Sequence, residues 1–299
     1  MSKIKIHDVG MRDGLQNESK IVPTEIKIDW INKLIESNVD IIQIGSFVHP
    51  VKVPQMADTD ELFSYFSKIE HKPVLSGLLL NEKGMDRAIN CGVEMFCMGV
   101  SASDTHSKKN TGMDTIEAQK RIINIAKELI DSGKKVQVSV QSAFGCGFEG
   151  KISEEKVFDL VRSYVESGIN NISLADTAGH AYPEQVKRIF SRIKSEYPQT
   201  ILTCHFHNTY GLGLANCYVA INDGVEYFET AFGGLGGCPF TKVAAGNVCT
   251  EDLIHSINRN ESIDNINIDK IIDVSKSAEQ YFERKLEGYV YRAGKLSYN

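Results

Sequence analysis

Short runs rich in Ile and Val alternate along the chain with longer stretches in which apolar residues recur every three or four positions. The first pattern is that of strands buried on both faces, the second that of amphipathic helices, and their alternation predicts βα units around a parallel sheet. Strands are expected near Ile4 to Val9, Ile41 to Gly45, Val74 to Leu79 and Met95 to Val100. Four more are expected near Val136 to Gln141, Asn171 to Leu174, Ile201 to His205 and Tyr227 to Ala231. The helices between them include Thr24 to Ser37, Asp114 to Ser132, Glu154 to Ser167 and Pro183 to Ser195, several opening on residues that can cap. Ser132-Gly133, Ser167-Gly168 and Asn222-Asp223-Gly224 suit left-handed helix ends.

Eight such units, with no linker rich in Pro, Gly or Ser between them, favour a closed TIM (β/α)8 barrel over a doubly wound open sheet. An open nucleotide-binding sheet would carry an early glycine-rich phosphate loop, whereas the first strand here runs into Gly10-Met11-Arg12-Asp13-Gly14. The eighth helix is expected over Ala245 to Ile257, and another helical stretch over Ile268 to Leu286. Residues 1–262 are therefore assigned to the barrel domain, and 263–299 to a helical extension packed on it or on a neighbouring subunit. In such a barrel the chemistry sits at the carboxyl ends of the strands, where the eight βα loops converge.

Composition narrows the partners. With 42% hydrophobic and 24% charged residues the chain is an ordinary globular protein with a large core. Its net charge of −6, with both signs interspersed, offers no basic stripe for a phosphate backbone, so nucleic acid is not an expected partner. The seven cysteines form neither a disulfide framework nor a CxxC zinc pattern and read as reduced thiols. No apolar segment suits export or membrane spanning, and the final Ser-Tyr-Asn matches no retention or peroxisomal address, so a cytoplasmic protein without a membrane partner is expected.

Asp13 follows the first strand, and Cys204-His205-Phe206-His207-Asn208 ends the seventh. Two His at i and i+2 on a strand point to the same face, so one cation can accept both imidazoles. Alone, the pair reads equally well as two polar strand residues. Asn247 changes the weighing, because it lies in the loop leaving the eighth strand, which adjoins both the first and the seventh in a closed barrel. Taken alone, Asn247 reads more simply as a helix cap. Together, Asp13, His205, His207 and Asn247 give a mixed O/N set with room for substrate oxygens, which suits catalytic Mg²⁺ or Mn²⁺ better than structural zinc.

The segments Val9-Gly10-Met11-Arg12-Asp13-Gly14-Leu15-Gln16-Asn17-Glu18, Gly45-Ser46-Phe47-Val48, Val53-Pro54-Gln55-Met56-Ala57-Asp58 and Gly233-Gly234-Leu235-Gly236-Gly237-Cys238-Pro239 resemble the 3-hydroxy-3-methylglutaryl-CoA lyase family. That family shares an RD pair after strand one and HxH after strand seven with isopropylmalate and homocitrate synthases. The resemblance implies metal ligation by Asp13, His205, His207 and Asn247, neutralisation of a developing enolate by Arg12, and proton transfer by Cys238 on a mobile glycine-rich loop. Asp13 and His205 belong to the catalytic set as ligands. It also implies an acyl-CoA thioester substrate. Gln16, Gln43, Ser46, Ser173 and Asp176 are candidate substrate contacts, with Ser46, Ser173 or Asp176 a possible partner for the second nitrogen of a ligating His. Helix capping is an equally good reading of those three, and Glu149 is a further candidate. A homo-oligomer, namely a dimer, is expected.

Three departures keep the reaction open. The family usually carries Glu on the second strand where this chain has Gln43, which keeps the hydrogen bonding but cannot hold charge or take a proton. Ser103-Asp104-Thr105-His106 is closer to the synthase branch, and Met11 stands where the lyases usually have Pro. The leading expectation is cleavage of 3-hydroxy-3-methylglutaryl-CoA, or a close relative, to acetyl-CoA and a 3-oxoacid such as acetoacetate. The alternatives are a Claisen-type synthase joining an acyl-CoA to a 2-oxoacid, a sister lyase with another acyl-CoA, and a binding protein with a vestigial metal site.

Overall fold

A computed structural model describes residues 4–70, 72–237, 246–260, 263 and 265–296. Strands β1 (Lys5–Asp8), β2 (Ile41–Ser46), β3 (Val74–Leu78), β4 (Met95–Ser101), β5 (Lys135–Gln141), β6 (Asn171–Asp176), β7 (Ile201–Phe206) and β8 (Tyr227–Thr230) are parallel and pair in sequence order. β8 then pairs with β1, Lys5 opposite Tyr227 and Asp8 opposite Thr230, and the sheet closes on itself. This is the (β/α)8 barrel that the alternation predicts.

Around it lie α1 (Thr24–Glu36), α2 (Thr59–Phe66), α3 (Glu82–Asn90), α4 (Asp104–Thr111), α5 (Thr115–Asp131), α6 (Glu154–Glu166), α7 (Pro183–Glu196), α8 (Gly213–Asn222) and α9 (Thr250–Ile257). In α5 the buried set Ala118, Ile122, Ile125, Ala126 and Leu129 forms one apolar face, and the Asp114 side chain caps the helix by accepting from the Glu117 N–H. Gly133 and Gly168 end α5 and α6 at φ 73° and 84°, the left-handed geometry their sequence context predicts.

The alternation along each strand separates two environments. On β5, Val136, Val138 and Val140 face the helices, while Gln137, Ser139 and Gln141 face the barrel axis. The interior is polar: the Gln137 amide donates to Thr203 Oγ1 across it at 3.1 Å, and His7 Nε2 lies 2.8 Å from Ser76 Oγ. A small apolar plug of Ile41, Met95 and Cys97 closes the amino-terminal end. Barrel interiors are ordinarily filled by branched aliphatic side chains, so this polarity marks an interior adapted for chemistry.

Three elements differ from the expectation. The short α4 inserts between β4 and α5, with Ser103 as its N-cap. The eighth helix starts at Thr250, not Ala245, because Asn247 and Cys249 are drawn into extended bridges with His207 and Ala231. The last long helix, α10 (Ile268–Phe282), stops where Glu283 turns to φ 54°, and a short α11 (Val290–Ala293) follows. α10 packs on α1 and on the turn after β8, with Trp30 edge-on to Phe232 and its Nε1–H donating to Ser277 Oγ. Leu286 then fills the space beside Gly233, and the Gly288 N–H donates to the Gly233 carbonyl. The C-terminal extension thereby supports the glycine-rich turn that follows β8.

Candidate active site

β1 ends in a single wide turn, Gly10–Gly14, in which the Val9 carbonyl accepts the N–H groups of Arg12, Asp13 and Gly14 at 3.1, 2.8 and 3.2 Å. That turn directs both Arg12 and Asp13 into a cavity of about 550 Å³ at the carboxyl-terminal mouth of the barrel. His205 and His207 enter it from the end of β7. Asn247 arrives from the other side of β8, fixed by its N–H to the Leu235 carbonyl and by the Val248 N–H to the Phe206 carbonyl.

The donor atoms converge. His205 Nε2 and His207 Nε2 are 3.1 Å apart, and they lie 4.0 and 3.9 Å from Asp13 Oδ2. These spacings can be spanned by one cation with ligand bonds of roughly 2.0–2.2 Å. Asn247 completes the group: its Nδ2 donates to Asp13 Oδ2 at 2.8 Å and to the Leu235 carbonyl at 3.0 Å, while its Oδ1 is buried with no partner among the described residues. A buried carbonyl oxygen left without a donor is costly, and a cation beside three other ligands would satisfy it. Asp13, His205 and His207 thus form a group able to hold a metal ion, and the Asn247 oxygen fits the same role.

The protonation states support this fit. Burial opposes ionisation of Asp13, but the charges of Arg12 and the two His, with the Asn247 hydrogen bond, hold its carboxyl far below the usual range. Burial, reinforced by the neighbouring His205, lowers His207 to about 4, so its ring is neutral near pH 7. Burial also works against a charged His205, yet the hydrogen bond and charge of Glu229 outweigh it and leave that pKa raised. Two ionised carboxylates around two imidazoles create a field that favours an added positive charge.

Glu229 is the residue that sequence reasoning missed. Its Oε2 lies 2.8 Å from His205 Nδ1, which places the ring proton on Nδ1 and leaves Nε2 free to ligate. The partner of the ligating His is therefore Glu229, and none of Ser46, Ser173 and Asp176 fills that position. The β7–β8 register sets Glu229 directly opposite His205. The signal was a lone acid inside the strand run Tyr227-Phe228-Glu229-Thr230-Ala231. His7 lies behind it, its Nδ1 3.7 Å from Glu229 Oε1.

The other candidates divide between the cavity and its surroundings. Arg12 lines the cavity, its Nε–H donating to Gln43 Oε1 and its Nη1–H to Asp13 Oδ1. Gln16 also lines it and donates to Asp13 Oδ1 at 3.1 Å, and Ser46 is a lining residue as well. Gln43 is buried behind Arg12. Ser173 is buried on β6 and Asp176 follows Ala175, but only Ala175 of the three lines the cavity. The Asp176 Oδ1 accepts the His180 N–H at 2.7 Å, as a loop cap does, and burial pushes its carboxyl up to about 7. Glu149 accepts the Thr105 N–H at the start of α4, and Asp104 pairs with Lys156, which gives the Ser103-Asp104-Thr105-His106 phrase a largely structural use. Its His106 does line the cavity. Cys238 lies outside the described residues, and Gly237, just before it, lines the cavity.

The glycine-rich run crosses close over the site. A side chain on Gly236, whose φ is 113°, would begin 2.5 Å from Asn247 Nδ2. Here glycine is required both by backbone conformation and by close approach.

Comparison with known proteins agrees with this geometry. Residues 3–277 match the family model described as HMGL-like. The chain is 33% identical over 288 residues to the Bacillus subtilis hydroxymethylglutaryl-CoA lyase, covering 95% of each protein. It is 36% identical over 293 residues to the human mitochondrial hydroxymethylglutaryl-CoA lyase, covering 97% of this chain and 89% of that protein. Among solved structures, an HMG-CoA lyase from Acinetobacter baumannii in complex with coenzyme A and 3-methylmalate superposes with a TM-score of 0.91 at 39% identity, covering 98% of this chain and 96% of that one. The B. subtilis HMG-CoA lyase superposes with a TM-score of 0.94 at 31% identity, covering 99% of both chains.

Proposed function

The chain belongs to the HMGL-like family and is a carbon–carbon lyase, and we propose that it cleaves 3-hydroxy-3-methylglutaryl-CoA, or a close 3-hydroxyacyl-CoA relative, to acetyl-CoA and a 3-oxoacid such as acetoacetate. The observation that carries this reading is the convergence of Asp13, His205, His207 and the unpartnered Asn247 oxygen beside Arg12 in one cavity.

Those four residues would hold a divalent ion, and their mixed oxygen and nitrogen donors favour Mg²⁺ or Mn²⁺. When bound, the ion supplies a Lewis acid that polarises the tertiary alcohol. Asp13, held ionised, serves as a ligand anion. His205, oriented by Glu229, presents its Nε2 to the same point.

Cleavage passes the hydroxyl proton to solvent in the open cavity, breaks the bond between the hydroxyl carbon and the carbon next to the thioester as the hydroxyl oxygen becomes the carbonyl of the 3-oxoacid, and sends the electron pair of the broken bond toward the thioester oxygen. Arg12 supplies fixed positive charge for this enolate, its fork held by Gln43 on one edge and Asp13 on the other. A proton delivered to the enolate carbon then yields acetyl-CoA, and Cys238 is assigned this transfer. Gln16 and Ser46 line the cavity where the substrate lies, whereas Gln43, Ser173 and Asp176 act from behind it.

The thioester arm is placed along the basic edge of the cavity, where His49 and Lys52 can meet its phosphates. A dimer is proposed on the strength of the exposed Tyr210, Leu212 and Tyr218 on and before α8. Among the described residues no helix is long and apolar enough to cross a membrane, and a cytoplasmic location is proposed. Incubating purified protein with the methylglutaryl thioester and Mg²⁺ tests the reading. Acetyl-CoA and acetoacetate in equal amounts are expected, and release of free thiol only when a 2-oxoacid is added would point to a synthase.

A further inference from the structure

The cavity wall across the barrel from the ligand group is built from four small residues and one glutamine. Gly99 of β4 stands opposite Ser139 of β5, Ser101 stands opposite Gln141, and Ala175 follows on β6. All five line the cavity. At this layer a barrel is ordinarily filled by branched aliphatic residues, so the wall gives up packing to leave space. Gly99 is part of the same arrangement: a Cβ there would come 2.0 Å from Ser139 Oγ, so only glycine lets that hydroxyl lie across the strand pair.

The wall also offers unused hydrogen bonding. Ser101 is committed, its Oγ donating to Ser142 Oγ and accepting the Ser103 N–H. The Ser139 hydroxyl and the Gln141 amide make no side-chain hydrogen bond to any described residue, and both border the cavity. None of the five wall residues carries charge. Arg121, which lines the cavity elsewhere, is held in a bidentate pair with Glu82. The wall therefore suits a neutral group with oxygen atoms and not a carboxylate.

We infer that this wall is a subsite for a substituent larger than methyl on the hydroxyl-bearing carbon of the substrate, ending in a neutral oxygen group such as a hydroxyl or carbonyl. The inference rests on the lyase reading above and specifies which relative of the methylglutaryl thioester fits the site best. The hydroxyl-bearing carbon has four groups to place. With its oxygen toward the ligand group and the thioester arm past Arg12, the carboxymethyl group would form the 3-oxoacid end and the fourth group would point toward β4 and β5. A methyl group at that position offers no hydrogen-bond partner to Ser139 or Gln141.

Three 3-hydroxyglutaryl thioesters of CoA, bearing methyl, propyl or 3-hydroxypropyl on the hydroxyl carbon, test the inference with the Mg²⁺-loaded full chain. Both kcat/KM and calorimetric Kd are measured, for the unaltered protein and for Ser139→Val, Ser139→Ala and Gln141→Leu. The 3-hydroxypropyl compound is expected to exceed methyl by about tenfold or more in both quantities, since a hydrogen-bonding pocket strongly favours the group it was built for. Ser139→Val is expected to cut that ratio at least about tenfold through bulk, while Ser139→Ala and Gln141→Leu narrow the gap between 3-hydroxypropyl and propyl by removing a partner. Methyl preferred in both measurements, or ratios unmoved by all three substitutions, would overturn the subsite. Cleavage of all three compounds with methyl favoured overturns the subsite and leaves the lyase reading standing. Ranked binding without cleavage keeps the subsite and overturns the lyase reading, and failure of all three to bind overturns both.

Discussion

Glu229 Oε2 and His205 Nδ1 are 2.8 Å apart in the buried mouth of the barrel, and this contact sets which nitrogen of His205 faces the ligand group. Glu229→Gln keeps the size and one acceptor but removes the charge, so the ring loses both its fixed tautomer and its basicity. Metal affinity is expected to fall about 10–100-fold, read by titrating metal-free protein with Mn²⁺, with little change in the far-ultraviolet dichroism spectrum. Unchanged affinity would mean that His205 does not depend on Glu229.

Arg12 is held at two edges, by Gln43 and by Asp13. Arg12→Lys replaces a planar fork with a point charge that cannot bridge both partners. Its kcat is expected to drop about 10²-fold or more with KM little altered, the pattern of an interaction made mainly in the transition state. Gln43→Leu leaves Nε–H unpartnered and is expected to lower kcat about tenfold, while Gln43→Glu retains an acceptor and stays closer to the parent. Steady-state kinetics on the methylglutaryl thioester separates these cases, and a Gln43→Leu enzyme equal to the parent would contradict the orienting role.

Gly236→Ala places a methyl group on Asn247 Nδ2 and forces a side chain onto a backbone at φ 113°. The strain costs roughly 1–3 kcal/mol, and relief is available by moving Asn247 away from Asp13. The expected result is a larger loss of metal affinity than of thermal stability, measured by titration and melting on the same preparation. The reverse ranking would remove Asn247 from the ligand set.

Glu251 is fully buried, and both its oxygens accept the Gly233 N–H beneath the glycine-rich turn. Burial raises its carboxyl from 4.5 to about 7. Because the folded value lies above the unfolded one, its contribution to stability is complete below about pH 4.5 and is lost as pH rises through about 7. The loss amounts to roughly 3 kcal/mol. Urea unfolding at pH 5 and pH 8 is expected to show a smaller difference in Glu251→Gln than in the parent; an equal difference would assign the pH dependence to Asp8 and Asp176, which shift the same way.

The barrel and the ligands from β1 and β7 were legible in the sequence for separate physical reasons. Strand and helix periods alternate without a break, and His205 and His207 must share a face because side chains on a strand repeat every two residues. The start of the eighth helix was misread because periodicity registers the apolar spacing of Ala245 to Ile257 but not the extended pairing of Asn247 with His207. That pairing exists only once the barrel has closed. Glu229 stayed hidden because its function comes from standing opposite His205 in the β7–β8 register, a long-range fact that one strand cannot reveal. Asp176 illustrates the converse: it ends a strand, where catalytic groups gather, yet its neighbour Ala175 takes the cavity-facing position and leaves it to cap a loop.

The central claim, a lyase whose metal is held by Asp13, His205, His207 and Asn247, is tested most directly by acetyl-CoA release before and after complete chelation. Chelated protein is expected to be inactive, to recover when one equivalent of Mg²⁺ or Mn²⁺ is restored, and to show no recovery in Asp13→Ala at the same metal concentration. Activity that persists in rigorously metal-free protein, or an Asp13→Ala variant that binds metal and turns over like the parent, would contradict the claim.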